Sequence, residues 1–235
     1  KSLFGLSLIA LAFSCASPTK EKVAAAFDNK VAEEKIKVLK DLGPSSDTRI
    51  PLKAGQWVKI HTVVKGDKPD QSLSTFKVLK VSGKKITMEV ETTDAATLGL
   101  HIMQYEVENY PTYNKLDISK KDLEKLADKI VLKKIIMKKG NEPAQELPKT
   151  YLPMAKSMLK ELFASGYRIG EPKKEACSSE YLSSGRCVIF DFEATAFGFT
   201  TNGKSFSHSA VPVVGFIKSV TDKTETQEVN YGLTG

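Results

Sequence analysis

Long apolar runs are missing from this 235-residue chain. A membrane-spanning helix needs about 20 apolar residues. The most apolar stretch, Leu3 to Phe13, has eleven. As a helix it would reach about 16 Å at roughly 1.5 Å per residue, half of a ~30 Å hydrocarbon core, so it is not a permanent span. Histidine is scarce: His61, His101 and His208 are all there are. No two stand at i, i+4 and none adjoins a Glu, which excludes the helical zinc-protease motif. No G-x-S-x-G elbow exists for a hydrolase serine. Arginine is limited to Arg49, Arg168 and Arg186, and the lysines are not interleaved with aromatics, so nucleic acid is not an expected partner. Asp191 and Glu193, two apart on one strand face, read as solvated carboxylates. Neither a catalytic constellation nor a metal or cofactor site emerges, and the chain reads as a non-enzyme.

What is present is concentrated at the start. Lys1 precedes the apolar stretch, and Ser14 and Cys15 follow it. A basic start, a short apolar core and small residues at a cut are the layout of a secretory signal, here residues 1–14. Ala12-Phe13-Ser14-Cys15 resembles a bacterial lipobox, in which cleavage before Cys leaves an N-terminal Cys carrying acyl chains such as palmitate. Ala12 stands where Leu is usual, as in the relaxed lipoboxes of spirochaete-type lipoproteins. The resemblance implies a lipid anchor on Cys15, with residues 15–22 as a short tether. Ala16 and Ser17 fit routing to the outer membrane. Plain cleavage, with Cys15 an ordinary thiol, is the alternative.

Removing residues 1–14 leaves 221 residues, enough for one large domain with a core. Apolar content of 41 % and charged content of 27 % are those of a globular chain. The net charge of +7 is uneven: nine Lys lie between Lys115 and Lys139 against Asp117, Asp122, Glu124 and Asp128. That region could meet a protein or an anionic surface; alternatively it is a solvated face that keeps strand edges from pairing. With Cys15 acylated, Cys177 and Cys187 remain as an even pair. In an oxidising compartment they read as one disulfide closing a short loop, against the alternative of two buried thiols.

Helical spacing of Ala24, Phe27, Val31, Val38, Leu39 and Leu42 predicts an amphipathic helix over 23–43, ended by Gly43-Pro44. A single domain is expected over 44–235. Period-two alternation then predicts strands at 56–64, 74–81, 85–93 and 100–107, with Ile86, Met88 and Val90 on one face. A short helix is expected behind Ser119-x-x-Asp122, a strand over 131–139, and a helix from Thr150 to Gly166 carrying Met154 and Met158. Strands follow at 187–200, 204–211, 213–220 and 226–231, with Asn202-Gly203 read as a hairpin tip.

Gly198 to Ser205 satisfies the phosphate-loop pattern G-x-x-x-x-G-K-[ST], but the run after it is β-like and stopped by Pro212 where a helix is required. The match is a decoy. The stretch from His208 to Lys218, with its Val-Pro-x-x-Gly core, resembles the C-terminal strand of uncharacterised bacterial lipoproteins and brings no activity with it. Together the elements predict an α+β fold, a curved antiparallel sheet with two or three packed helices. This order is similar to that of the half-barrel carriers of the LolA and LolB type. The expected function is that of a lipid-anchored envelope protein with a non-catalytic binding role. The alternative is a carrier of a hydrophobic ligand in a cavity lined by Trp57, Met154, Met158 and Phe190.

Overall fold

The structure, a computed structural model, describes residues 20–37, 40–46, 48–65, 70–110, 120–156, 166–196 and 199–233. Alternation builds the first half of it. β2 (Trp57–Val64), β3 (Asp70–Ser82), β4 (Lys85–Asp94), β5 (Leu100–Glu108) and β6 (Val131–Lys139) pair antiparallel in chain order. Gly83, at φ +58°, supplies the left-handed conformation of the tight β3–β4 turn. Period two sets Val58, Phe76, Val90, Met103 and Met137 in one row across the five strands. Val78, Met88, Tyr105 and Ile135 form the next row on the same face. Lys77, Glu89 and Gln104 occupy the opposite one.

The second half is another antiparallel run: β8 (Gly166–Ser178), β9 (Leu182–Ala196), β10 (Phe199–Ser207), β11 (Phe216–Thr221) and β12 (Thr224–Gly232). β12 pairs with β2 from Thr224↔Val64 to Gly232↔Trp57, so the two runs become one 12-stranded sheet. The sheet is open. β7 (Gln145–Glu146) lies along β6 at one end and β8 along β9 at the other. β1 (Lys40–Asp41) is parallel to β9 and takes β10's place beside it where β10 has ended.

Two helices stand on this frame. α1 (Lys20–Lys37) buries Val23, Phe27 and Val31, a four-residue repeat that keeps them on one stripe. Phe27 and Val31 join Val58, Ile60, Tyr181, Leu182, Ile217 and Val229 in the main core. α2 (Lys120–Lys129) leads into Ile130, which packs with Val107, Leu132 and Ile135 in a second, smaller cluster.

The expected α+β class with two or three packed helices is overturned: the described chain is mostly β. Much of the difference lies in residues 166–186. β8 and the start of β9 are rich in Gly, Ser, Lys and Glu, and β8 slips register between Ile169 and Lys173 and again between Glu175 and Cys177. Each slip breaks the two-residue period, and Pro172 is tolerated inside the first one. α1 ends at Lys37 with β1 at Lys40–Asp41, so the helix expected over 23–43 is shorter and shifted. Of the helix expected from Thr150 to Gly166, a 3-10 turn (Lys149–Tyr151) and helical residues 152–156 are seen, and 157–165 lie outside the described residues.

The hairpin expected at Asn202-Gly203 is also absent. Both residues lie inside β10, paired with Glu193 and Phe192. Gly203 is there for another reason: a Cβ would lie 2.6 Å from the Phe192 ring and from the Val220 carbonyl. Gly232 sits in the same way against its ladder partner Trp57. In each pair an aromatic ring covers a strand glycine across the ladder, restoring the packing that glycine lacks.

Gly232→Ala drives a methyl into the Trp57 indole, and we expect a loss of about 1–3 kcal/mol. The urea midpoint of the full chain should fall at unchanged slope, and an unchanged midpoint would show that the indole moves aside without cost.

Candidate functional site

The polar groups of the fold gather in four places. The first is the disulfide. Cys177 on β8 and Cys187 on β9 are bonded, with Cα atoms 5.8 Å apart. The antiparallel pairing of the two strands brings them together, and both are buried.

The second surrounds His61 on β2. Its Nε2–H donates to Gln71 Oε1 (2.9 Å), which leaves Nδ1 to accept the Tyr181 hydroxyl (3.1 Å). The Phe27 ring tilts against the imidazole at 6.2 Å between centroids. Tyr181 is fully buried, and burial, helped by nearby Glu180, pushes its phenol up to about 12. This network ties β2 and the β8–β9 turn together under α1.

The third lies at the end of β10. His208 is 1 % exposed. Ala210 N–H donates to its Nδ1 (3.1 Å), so Nε2 carries the proton and donates to the Gly43 carbonyl (3.1 Å). Burial holds the imidazole pKa below its ordinary value, the Gly43 bond acting weakly the other way. Arg49 Nη2 donates to the Val213 carbonyl (3.1 Å), and its guanidinium lies against Gly215, leaving no room for a Cβ there. Val213 has φ +62°, a costly conformation for a β-branched residue that marks this loop as held in place by its surroundings.

The fourth is the charged region of β4–β7. Lys133 and Lys85 both pair with Glu108, Lys134 pairs with Glu146, and Lys125 with Asp122. Those two lysine bonds hold the Glu108 carboxyl below the ordinary glutamate range. Exposed pairs of this kind are screened by solvent and contribute little to stability. Lys77 bridges Glu91 and Glu89, and Gln104 donates to Glu89. Among the described residues Lys138 and Lys139 form no ion pair, and both are exposed beside Met137, itself 40 % exposed. The Lys excess between Lys115 and Lys139 is thus partly neutralised in place, with the β6 terminus left cationic; residues 111–119 lie outside the described set.

The sequence-predicted residues fall as follows. Trp57 opens β2 and stacks on Gly232. Phe190 is half-buried on β9, with β10, β11 and β12 between its strand and β2. Met154 is 59 % exposed beyond the 3-10 turn. Met158 and Cys15 lie outside the described residues. His101 stands 3.7 Å from Asp94 at an exposed strand tip. Partial burial would raise the Asp94 carboxyl, but bonds from Thr97 and then the His101 charge bring it below its ordinary value. Lys204 and Ser205 of the phosphate-loop match lie in ladder pairing on β10, opposite Asp191 and Phe190, with no helix after them. The three histidines are far apart in the topology, and among the described residues no three His, Cys, Asp or Glu side chains come together to hold a metal. The contact of His208 with Gly43 was not anticipated; Pro212 and Gly215 were its only trace in the sequence.

No family model matches this sequence, and no curated protein matches it either. Among solved structures, the crystal structure of a protein from Parabacteroides distasonis, provisionally described as a lipoprotein, is similar at a TM-score of 0.30 and 7 % identity, over 80 % of this chain and 100 % of that one. That likeness is too slight to transfer a fold or a function.

Tyr181 generates a prediction at alkaline pH. Its folded pKa is raised above the unfolded value near 10, so its contribution to stability is whole below about pH 10 and is lost as pH rises toward about 12. Tyr181→Phe should lose about 1 kcal/mol at neutral pH, for the hydroxyl bond to His61. It should also flatten the alkaline decline in thermal midpoint between pH 10 and 12, whereas an identical decline in the variant would assign that loss to other groups.

Proposed function

We propose that this chain is an exported protein held in the bacterial envelope by acyl chains on Cys15, acting by binding rather than by catalysis. The observation that carries the reading is the Cys177–Cys187 bridge. Such a bridge persists in oxidising compartments and is rare in the cytosol. It also accounts for two of the three cysteines and leaves Cys15, directly after the apolar stretch, as the remaining thiol. Two or more acyl chains make a stable anchor, since each buried CH₂ contributes about 0.8 kcal/mol. The outer membrane is the proposed address, from Ala16 and Ser17. The exposed cationic terminus of β6 is the proposed contact for a protein or an anionic surface.

One observation favours a second reading, the carrier of a hydrophobic ligand. Phe76, Val90 and Met103 are only half-buried in the middle of their row, an apolar surface that a lipid chain would cover.

Expression of the full chain in a bacterial host tests both. Intact mass should show a protein beginning at Cys15 with acyl chains attached and two hydrogens fewer than the reduced form. Cys15→Ala should leave the membrane fraction. An unacylated N-terminus would sink the anchor, and stoichiometric lipid released by organic extraction would replace the first reading by the second.

A further inference from the structure

The lane beside β9 is shared by two segments that meet head-on. β1 runs along Leu182 and Ser183, extended by a bridge from Pro44 to Arg186, while β10 comes the other way and ends at Ser207 opposite Val188. Both chains turn out of the sheet at the meeting point, and their polar groups bond to one another there. Ser209 N–H donates to Ser45 Oγ (3.0 Å), Ser46 N–H to Ser209 Oγ (2.9 Å), and Ile50 N–H to the Ser209 carbonyl (3.3 Å). With His208 on Gly43 and Arg49 on Val213, these bonds clasp the segment after β1 onto the loop between β10 and β11.

From this geometry we propose that the clasp is a pH-sensitive latch, closed while His208 is neutral and opened when its ring takes a second proton. The ring is used at both nitrogens: Nε2–H faces a carbonyl and the bare Nδ1 faces the Ala210 N–H. A proton on Nδ1 sets two donors against each other, at a site 1 % exposed where no solvent can separate them. Among the described residues, the charged side chains on the segments bonded to this loop are Arg49, lying on Gly215, and Arg186 of β9, which is exposed. Among the described residues no carboxylate is bonded to the His208 ring. The neutral ring is therefore the one the closed clasp accepts: a charged ring keeps its Nε2–H on Gly43 but sets a second donor against the Ala210 N–H, and it gains solvent only if the clasp opens.

The pH window follows from the depressed pKa. A buried His that folds neutral contributes its full stability above the unfolded value near 6.5. That contribution is lost as pH falls from there toward the folded value. Opening frees the segment joining α1 to the sheet and uncovers the β9 lane at Leu182 and Ser183. This is a different event from the acylation of Cys15 and does not depend on it.

Hydrogen exchange on the full chain, followed by NMR together with the ¹⁵N shifts of the histidine ring, reads the latch directly. The ring should be the Nε2–H tautomer at pH 7. Below about pH 6.5, exchange at the Ser46, Ile50, Ser209 and Ala210 amides, corrected for intrinsic rate, should rise by about tenfold per pH unit, with the β3–β4 amides unchanged. His208→Gln, neutral throughout, should remove that pH dependence. Protonation of the ring with these amides still protected would overturn the proposal, as would an Nδ1–H tautomer at pH 7. If the variant fails to fold, the ring shifts and exchange of the unsubstituted chain decide alone.

Discussion

Everything in this sheet depends on the ladder between β12 and β2. Each half is a meander that pairs only with itself, and the eight registered pairs from Thr224↔Val64 to Gly232↔Trp57 are what fuse them. The seam also carries part of the buried core. Val58 and Val229 are fully buried and Ile60 nearly so, while a bulge between Glu228 and Asn230 gives Val229 its unpaired place. α1 lies over the seam, with Phe27 against His61 and Glu34 paired to Lys59. Separating the two strands would therefore uncover the helix contacts as well as the ladder.

Away from the seam, two devices hold the β8–β10 side. One is covalent: the disulfide ties strands whose register slips twice, at the place where side-chain alternation cannot enforce pairing. Ten residues separate its ends, and closing so short a loop contributes roughly 2–3 kcal/mol in the chain-entropy picture. The other is the polar clasp around His208 and Ser209, where most bonds join two segments far apart in the chain. The opposite side of the molecule has neither. Its edge ends in the two-residue β7 and in lysines, which discourage another strand from adding there.

Legibility in the sequence followed side-chain periodicity closely. The meander from Trp57 to Glu108 could be read to within a residue or two at most boundaries, β3 excepted, because apolar and polar side chains alternate along the sequence of its strands. The cysteine pairing could be read from parity. β8 could not, since its polar, bulged run has no period to find. Asn202-Gly203 misled because a dipeptide that favours a turn also provides a glycine for an aromatic to cover, and only the partner strand decides between the two. The C-terminal bound of the first helix was misread for the opposite reason: amphipathic spacing runs on to Leu42, but Lys40 and Asp41 are taken by a parallel pairing to β9 that no local pattern announces. The clasp is less legible still, being made of backbone groups, serine hydroxyls, an arginine and a histidine from segments that stand 165 residues apart at His208 and Gly43.

The seam has a consequence for how the chain comes to exist. Thr62 and Thr226 touch across it at a separation of 164 residues. During synthesis, β2 emerges early and presents a bare edge until β12 arrives. For that interval the nascent polypeptide carries an unsatisfied hydrogen-bonding template lined with Val and Ile, open to any other strand. The first strand of the meander is thus paired on one side early, by β3, and on the other only when the last strand of the chain is made.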